Sequence, residues 1–96
     1  MLDHLSGATL WVDFTTERGK LVDYTVALFL VSSGATETIR VYDGAHGYNE
    51  MHRYSRDGGK QTGTLFHSGS LSQGMQAAIA EIEKGCVEMI EGWRRR

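Results

Sequence analysis

Nine apolar side chains between residues 71 and 93 recur at spacings of three and four: Leu71, Met75, Ala78, Ile79, Ile82, Cys86, Met89, Ile90 and Trp93. At 100° per residue they fall within about a third of a helical circumference, with Glu81, Glu83, Glu88 and Glu91 outside it. Such a helix owes its stability to whatever covers that stripe. A chain of 96 residues has material for one core and one domain, residues 1–96. The remainder must therefore supply the covering layer. Ser70, with Gln73 three positions on, forms a capping box that starts the helix, and the spacing predicts helix over about 71–93. Arg94, Arg95 and Arg96 suit the negative end of its dipole. Gly74, Gly85 and Gly92 share one flank, where each costs up to about 1 kcal/mol. Close backbone approach and simple tolerance both account for them.

Ahead of the helix the period changes from 3.6 to 2. Leu10, Val12 and Phe14 alternate with Trp11, Asp13 and Thr15, which predicts a strand over 8–16 with one wetter face. A second strand over 21–31 begins with alternation and ends in the unbroken run Val26 to Val31, expected to be covered on both faces. Turns at Glu17–Lys20 and Ser32–Ala35 flank it, and further strands are expected at 36–42, 48–55 and about 62–66. The fold class is therefore α+β: an antiparallel β-meander of four to five strands, within about 8–66, packed against one long C-terminal α-helix.

Several function classes fall away on composition. No run approaches the roughly 18 apolar residues of a membrane span, and Met1–His4 lack the basic start of a signal peptide. Cys86 is the single cysteine and sits on the helical stripe, so an inert buried thiol and a cytoplasmic setting are expected. A net charge of −2 argues against a uniformly basic nucleic-acid binder. Residues 40–67 nevertheless carry a balance of +1 and three of the four histidines, so an anion would be drawn there or to the tail. Gly58-Gly59-Lys60 is too short for a phosphate loop and opens no helix. No cofactor motif is present.

The chemistry-bearing residues cluster between Arg40 and Tyr54. With Ile39 and Val41 inward, Arg40 and Tyr42 point away from the core; with Met51 inward, Tyr48, Glu50, His52 and Tyr54 share the outer face of the next strand. His52 is then a candidate general acid or base, oriented by Glu50 or Asp43, with His46 as its proton partner. Arg40 and Arg53 would hold a phosphate, and Tyr42 or Tyr54 would position a base. The same pattern also fits ordinary cross-strand surface pairs. In the opposite register Tyr48 and Tyr54 are core, with Met51 and Arg53 outward. His46, Glu50, His52 and His67 offer metal-ligand types at spacings that match no known arrangement, so no metal is expected.

The run Arg40-Val41-Tyr42-Asp43-Gly44-Ala45-His46-Gly47, followed by Glu50-Met51-His52-Arg53-Tyr54, resembles the core pattern of TumE-like proteins, small toxins of bacterial toxin–antitoxin pairs. Val41 and Gly44 depart from that pattern. The resemblance implies a sheet-plus-helix domain, an antitoxin protein as partner and an RNA target, with Tyr42, Asp43, His46 and His52 as the matching positions. Two readings follow. One is a metal-independent ribonuclease in which the RNA's own 2′-OH attacks. The other is a non-enzymatic protein-binding module, an adaptor or inhibitor presenting its sheet face. A homodimer is compatible with both.

Overall fold

Two tight hairpins set the sheet. In the computed structural model, which describes residues 7–95, β1 (Ala8–Glu17) turns into β2 (Lys20–Ser32) through Arg18 and Gly19, both at positive φ. Ser33 and Gly34 repeat this between β2 and β3 (Ala35–Asp43). Two central residues at positive φ match the right-handed twist of paired strands, and glycine takes the second place at no steric cost. β4 (Asn49–Arg53) and β5 (Thr64–His67) complete an antiparallel sheet in the order β1-β2-β3-β4-β5. Helix α1 (Leu71–Arg94) packs over one face, capped by Ser70 and Gln73 as the capping box predicts. The expectations for Met1–His4 and Arg96 lie outside the described residues.

The core lies between α1 and the middle of the sheet. Ala78, Ile82, Cys86, Ile90 and Trp93 of the helical stripe close onto Tyr24, Val26, Leu28, Ile39 and Tyr42. Cys86 is 2% exposed, as expected of a stripe residue. Leu10 and Leu30 reach the edge of this cluster, while Val12 and Phe14, on the same face of β1, lie beyond the helix and are exposed. No helix among the described residues is long and apolar enough to cross a membrane.

Two expectations need correction. Arg40 and Tyr42 do not point away from the core: Tyr42 is fully buried against it. The cause is a β-bulge. β2 pairs Leu28 with Arg40 and Phe29 with Thr38, so Ile39 is an extra residue and the alternation changes phase there. Ile39 and Tyr42 both reach the helix side, whereas Val41 turns to the other face. The second correction concerns Val26–Val31, which is buried on both faces only through Leu28; Val31 is 43% exposed. Among the described residues no second layer covers the far side of the sheet, and Ala27 is hidden there because it is small and lies between its register partners Trp11 and Val41. The helix glycines, for which two readings stood open, divide between them. A Cβ on Gly74 would stand 1.9 Å from Asn49 Oδ1, whereas one on Gly85 would meet only Met89 Cε at 3.5 Å. Close approach explains the first glycine and tolerance the second.

Candidate functional site

β4 adopts the register with Met51 packed toward the helix side, which turns Glu50 and His52 to the open face of the sheet. Pairing of Val41 with His52 and of Asp43 with Glu50 then builds two rows across that face. One runs Trp11, Ala27, Val41, His52; the other runs Asp13, Thr25, Asp43, Glu50, Leu65. Asp43 and His52 become diagonal neighbours, close enough for long side chains to meet. His52 Nε2 lies 3.5 Å from Asp43 Oδ2 and 3.6 Å from Glu50 Oε1. The turn after β3 brings His46 back over β4, where its Nδ1 is 3.1 Å from Glu50 Oε1. Asp43 Oδ1 stabilises that turn by accepting from the Ala45 amide.

Asp43, His46, Glu50 and His52 therefore meet in one cluster. Its electrostatics follow from the contacts. A carboxylate only accepts hydrogen bonds, so His46 Nδ1 carries the proton and donates it to Glu50. That bond holds the Glu50 carboxyl below its ordinary value; desolvation opposes the effect, and a second bond from the Tyr48 hydroxyl adds to it. The same contact raises Tyr48, which stays a neutral donor. His52 is not the open surface residue expected of an outer face. It is 8% exposed, because the chain between β4 and β5 folds over it and sets the Gln61 carbonyl 3.3 Å from its Nδ1.

The expected substrate groups are placed elsewhere. Tyr42 donates to Glu81 on α1 and receives a contact from Arg40 Nη1, so both belong to the helix side. Burial, reinforced by Glu81 and opposed by Arg40, pushes the Tyr42 hydroxyl up to about 12. Arg53 follows Met51 on that side and lines a groove with Gln61, Thr62 and Thr64. Tyr54 is half-buried and bridges to Lys60 beyond the end of β4. No lysine or arginine forms an ion pair with Asp43 or Glu50 among the described residues. As to metal, Asp43, Glu50 and His52 each present a ligand atom, all within 4.8 Å of one another. Linear spacing concealed this set, since two of its members meet only across the β3–β4 ladder.

Gly63 also escaped the sequence reading. A Cβ there would stand 2.5 Å from His52 Cε1 and 2.9 Å from Glu50 Oε2. An isolated glycine in a strand pattern signals such an approach, and Thr62-Gly63-Thr64 carried that signal. Asn49 is a second omission. Fully buried, it accepts from the Tyr24 hydroxyl and donates to the carbonyls of His67, Gly69 and Ser70, tying β4 to the start of α1.

Compared with known proteins, residues 1–96 match the model of a domain of unknown function, DUF7718. The chain belongs to the DUF7718 family. Searches of curated proteins and of solved structures gave no match.

Proposed function

We propose that this chain is an enzyme that moves protons at an RNA phosphodiester, as the ribonuclease-type toxin of a toxin–antitoxin pair. One observation carries the reading: Glu50 grips Nδ1 of His46 at 3.1 Å, and the His46 side chain is 66% exposed. This leaves Nε2 as the basic atom of an accessible ring that is held in one tautomer by a carboxylate. His46 Nε2 takes the proton of the 2′-OH, whose oxygen attacks the adjacent phosphorus. The imidazolium, stabilised by Glu50, returns that proton to the departing 5′ oxygen. Tyr48, 47% exposed, offers a ring for a neighbouring base. His52 lies on the buried side of Glu50, its Nε2 3.6 Å from Oε1. His46 thus replaces His52 as the proton carrier, because His52 is enclosed. RNA as substrate and an antitoxin as partner come from the resemblance to TumE-like proteins.

Expression of the chain alone in a bacterium is expected to slow growth. His46→Ala and Glu50→Gln should each relieve the effect with the circular dichroism spectrum unchanged, since general acid–base groups contribute about 10²–10⁴-fold. A wild-type chain that is harmless and binds no RNA at low salt would sink the reading. A non-enzymatic protein-binding module is the second reading, and a different observation favours it. β1 pairs with β2 alone and exposes Trp11, Val12 and Phe14, a long edge of the kind to which a partner strand can add. Under the toxin reading, an antitoxin would use the same edge.

A further inference from the structure

We propose that Asp43, Glu50 and His52 form a binding site for a divalent transition-metal ion of the zinc class. The inference concerns the same cluster as the proposed activity and adds to that reading a positive charge that the protein's own side chains do not provide there. It rests on four features of the geometry.

The first is the tautomer of His52. Its Nδ1 faces the Gln61 carbonyl at 3.3 Å, and a carbonyl only accepts, so Nδ1 bears the hydrogen. In the neutral ring Nε2 then presents its lone pair to two carboxylates. Three electron-pair donors thus converge on one point of the sheet face. A histidine that donates one ring nitrogen to a backbone carbonyl and turns the other inward has the usual orientation of a metal ligand.

The second is distance. Nε2 stands 3.5 Å from Asp43 Oδ2 and 3.6 Å from Glu50 Oε1. A charge-assisted N–H···O bond is about 2.7–2.9 Å long, so these separations are too wide for an imidazolium bonded to either acid. Two ligand atoms at zinc bond lengths from one tetrahedral ion stand roughly 3.3–3.5 Å apart, close to the two separations from Nε2, and all three ligand atoms lie within 4.8 Å of one another.

The third is enclosure. His52 is 8% exposed, and the carboxylates facing its Nε2 belong to side chains 15% and 12% exposed. Two carboxylates held beside one another in a largely enclosed space repel, and a cation shared with the imidazole would offset that repulsion. Gly63 contributes here, because any Cβ at that position would enter the space occupied by His52 and Glu50.

The fourth is donor chemistry. One imidazole and two carboxylates suit zinc and its neighbours such as manganese. Three protein ligands leave a coordination position open, the pattern of catalytic rather than structural sites.

The test is calorimetric titration of zinc chloride, and separately of manganese chloride, into the full chain after chelator treatment. One ion per chain is expected. His52→Ala and Asp43→Asn should each weaken binding by roughly tenfold or more, the second keeping the side-chain shape so that loss of folding is not the cause. His46→Ala, which removes only a hydrogen bond to the Glu50 ligand oxygen, should weaken binding less than loss of the His52 ligand does. Failure of the wild type to bind, or equal binding by wild type, His52→Ala and Asp43→Asn, overturns the inference. The growth assay reports on the other reading separately: ion binding by a harmless wild-type chain supports the site and removes the ribonuclease.

Discussion

Tyr42 shows how one residue's environment becomes a property of the whole fold. Its hydroxyl is buried beneath α1, donates to Glu81, and is pushed up to about 12 from an ordinary tyrosine value of 10. In the unfolded chain it ionises near the ordinary value, so above pH 10 the unfolded state releases a proton that the native state retains. Stability from this group is complete below pH 10 and is lost as the pH rises through about 12, a difference of roughly 3 kcal/mol. Tyr24, raised by burial and by Asp43 and Asp23, acts in the same direction. Urea unfolding at a series of alkaline pH values is expected to show a steep fall across this window. Tyr42→Phe should flatten it, and an unchanged slope would show that the Tyr42 hydroxyl is not buried. The residue was singled out in the sequence as a substrate group, and its location reverses that role.

At the scale of elements, helix α1 and strand β4 meet at one crowded point. Asn49 occupies the space that a side chain at position 74 would need, and its hydrogen bonds to Tyr24 and to the carbonyls leading into α1 prevent it from moving aside. Gly74→Ala therefore has to displace a satisfied buried amide, at an expected cost of about 2–4 kcal/mol. Gly85→Ala meets only Met89 Cε and removes a helix-interior glycine, so it should stabilise by roughly 0.5–1 kcal/mol. Denaturant midpoints of the two variants should move in opposite directions. Both glycines look alike in the helical pattern, and only the strand packed against one of them tells them apart. The element boundaries, by contrast, were legible in the sequence. Positive-φ turn residues, the capping box and the change of period from 2 to 3.6 are local features, and β1 to β5 and α1 all begin and end within two residues of their predicted limits.

Across the whole molecule the single helix is too narrow for the sheet. It lies chiefly over β2 and β3, leaving β1 as an unpaired edge with Phe14 at 56% and Trp11 at 45% exposure. Such an edge is open to strand addition by another chain, and we propose a second copy as its occupant. Sedimentation velocity at tens of micromolar is expected to show a dimer, and Val12→Lys, in the middle of the edge strand, to give a monomer of nearly unchanged stability, since the position is 37% exposed. A wild-type monomer would remove the homodimer and leave the edge to a different protein.

The sequence by itself determined the fold class, the order of the elements, the helical face that would be buried and the short stretch in which the reactive side chains lie. Each of these depends on periodicity and turn chemistry within a few residues. The tertiary structure decided which of those side chains meet. A single extra residue at Ile39 changed the phase of β3 and sent Tyr42 beneath the helix while Asp43 turned to the open face. The β3–β4 register then set Asp43 diagonal to His52, and Gly63 allowed the chain to close over them. Bulges and cross-strand registers are set by packing between segments distant in the chain, and for that reason no local pattern records them.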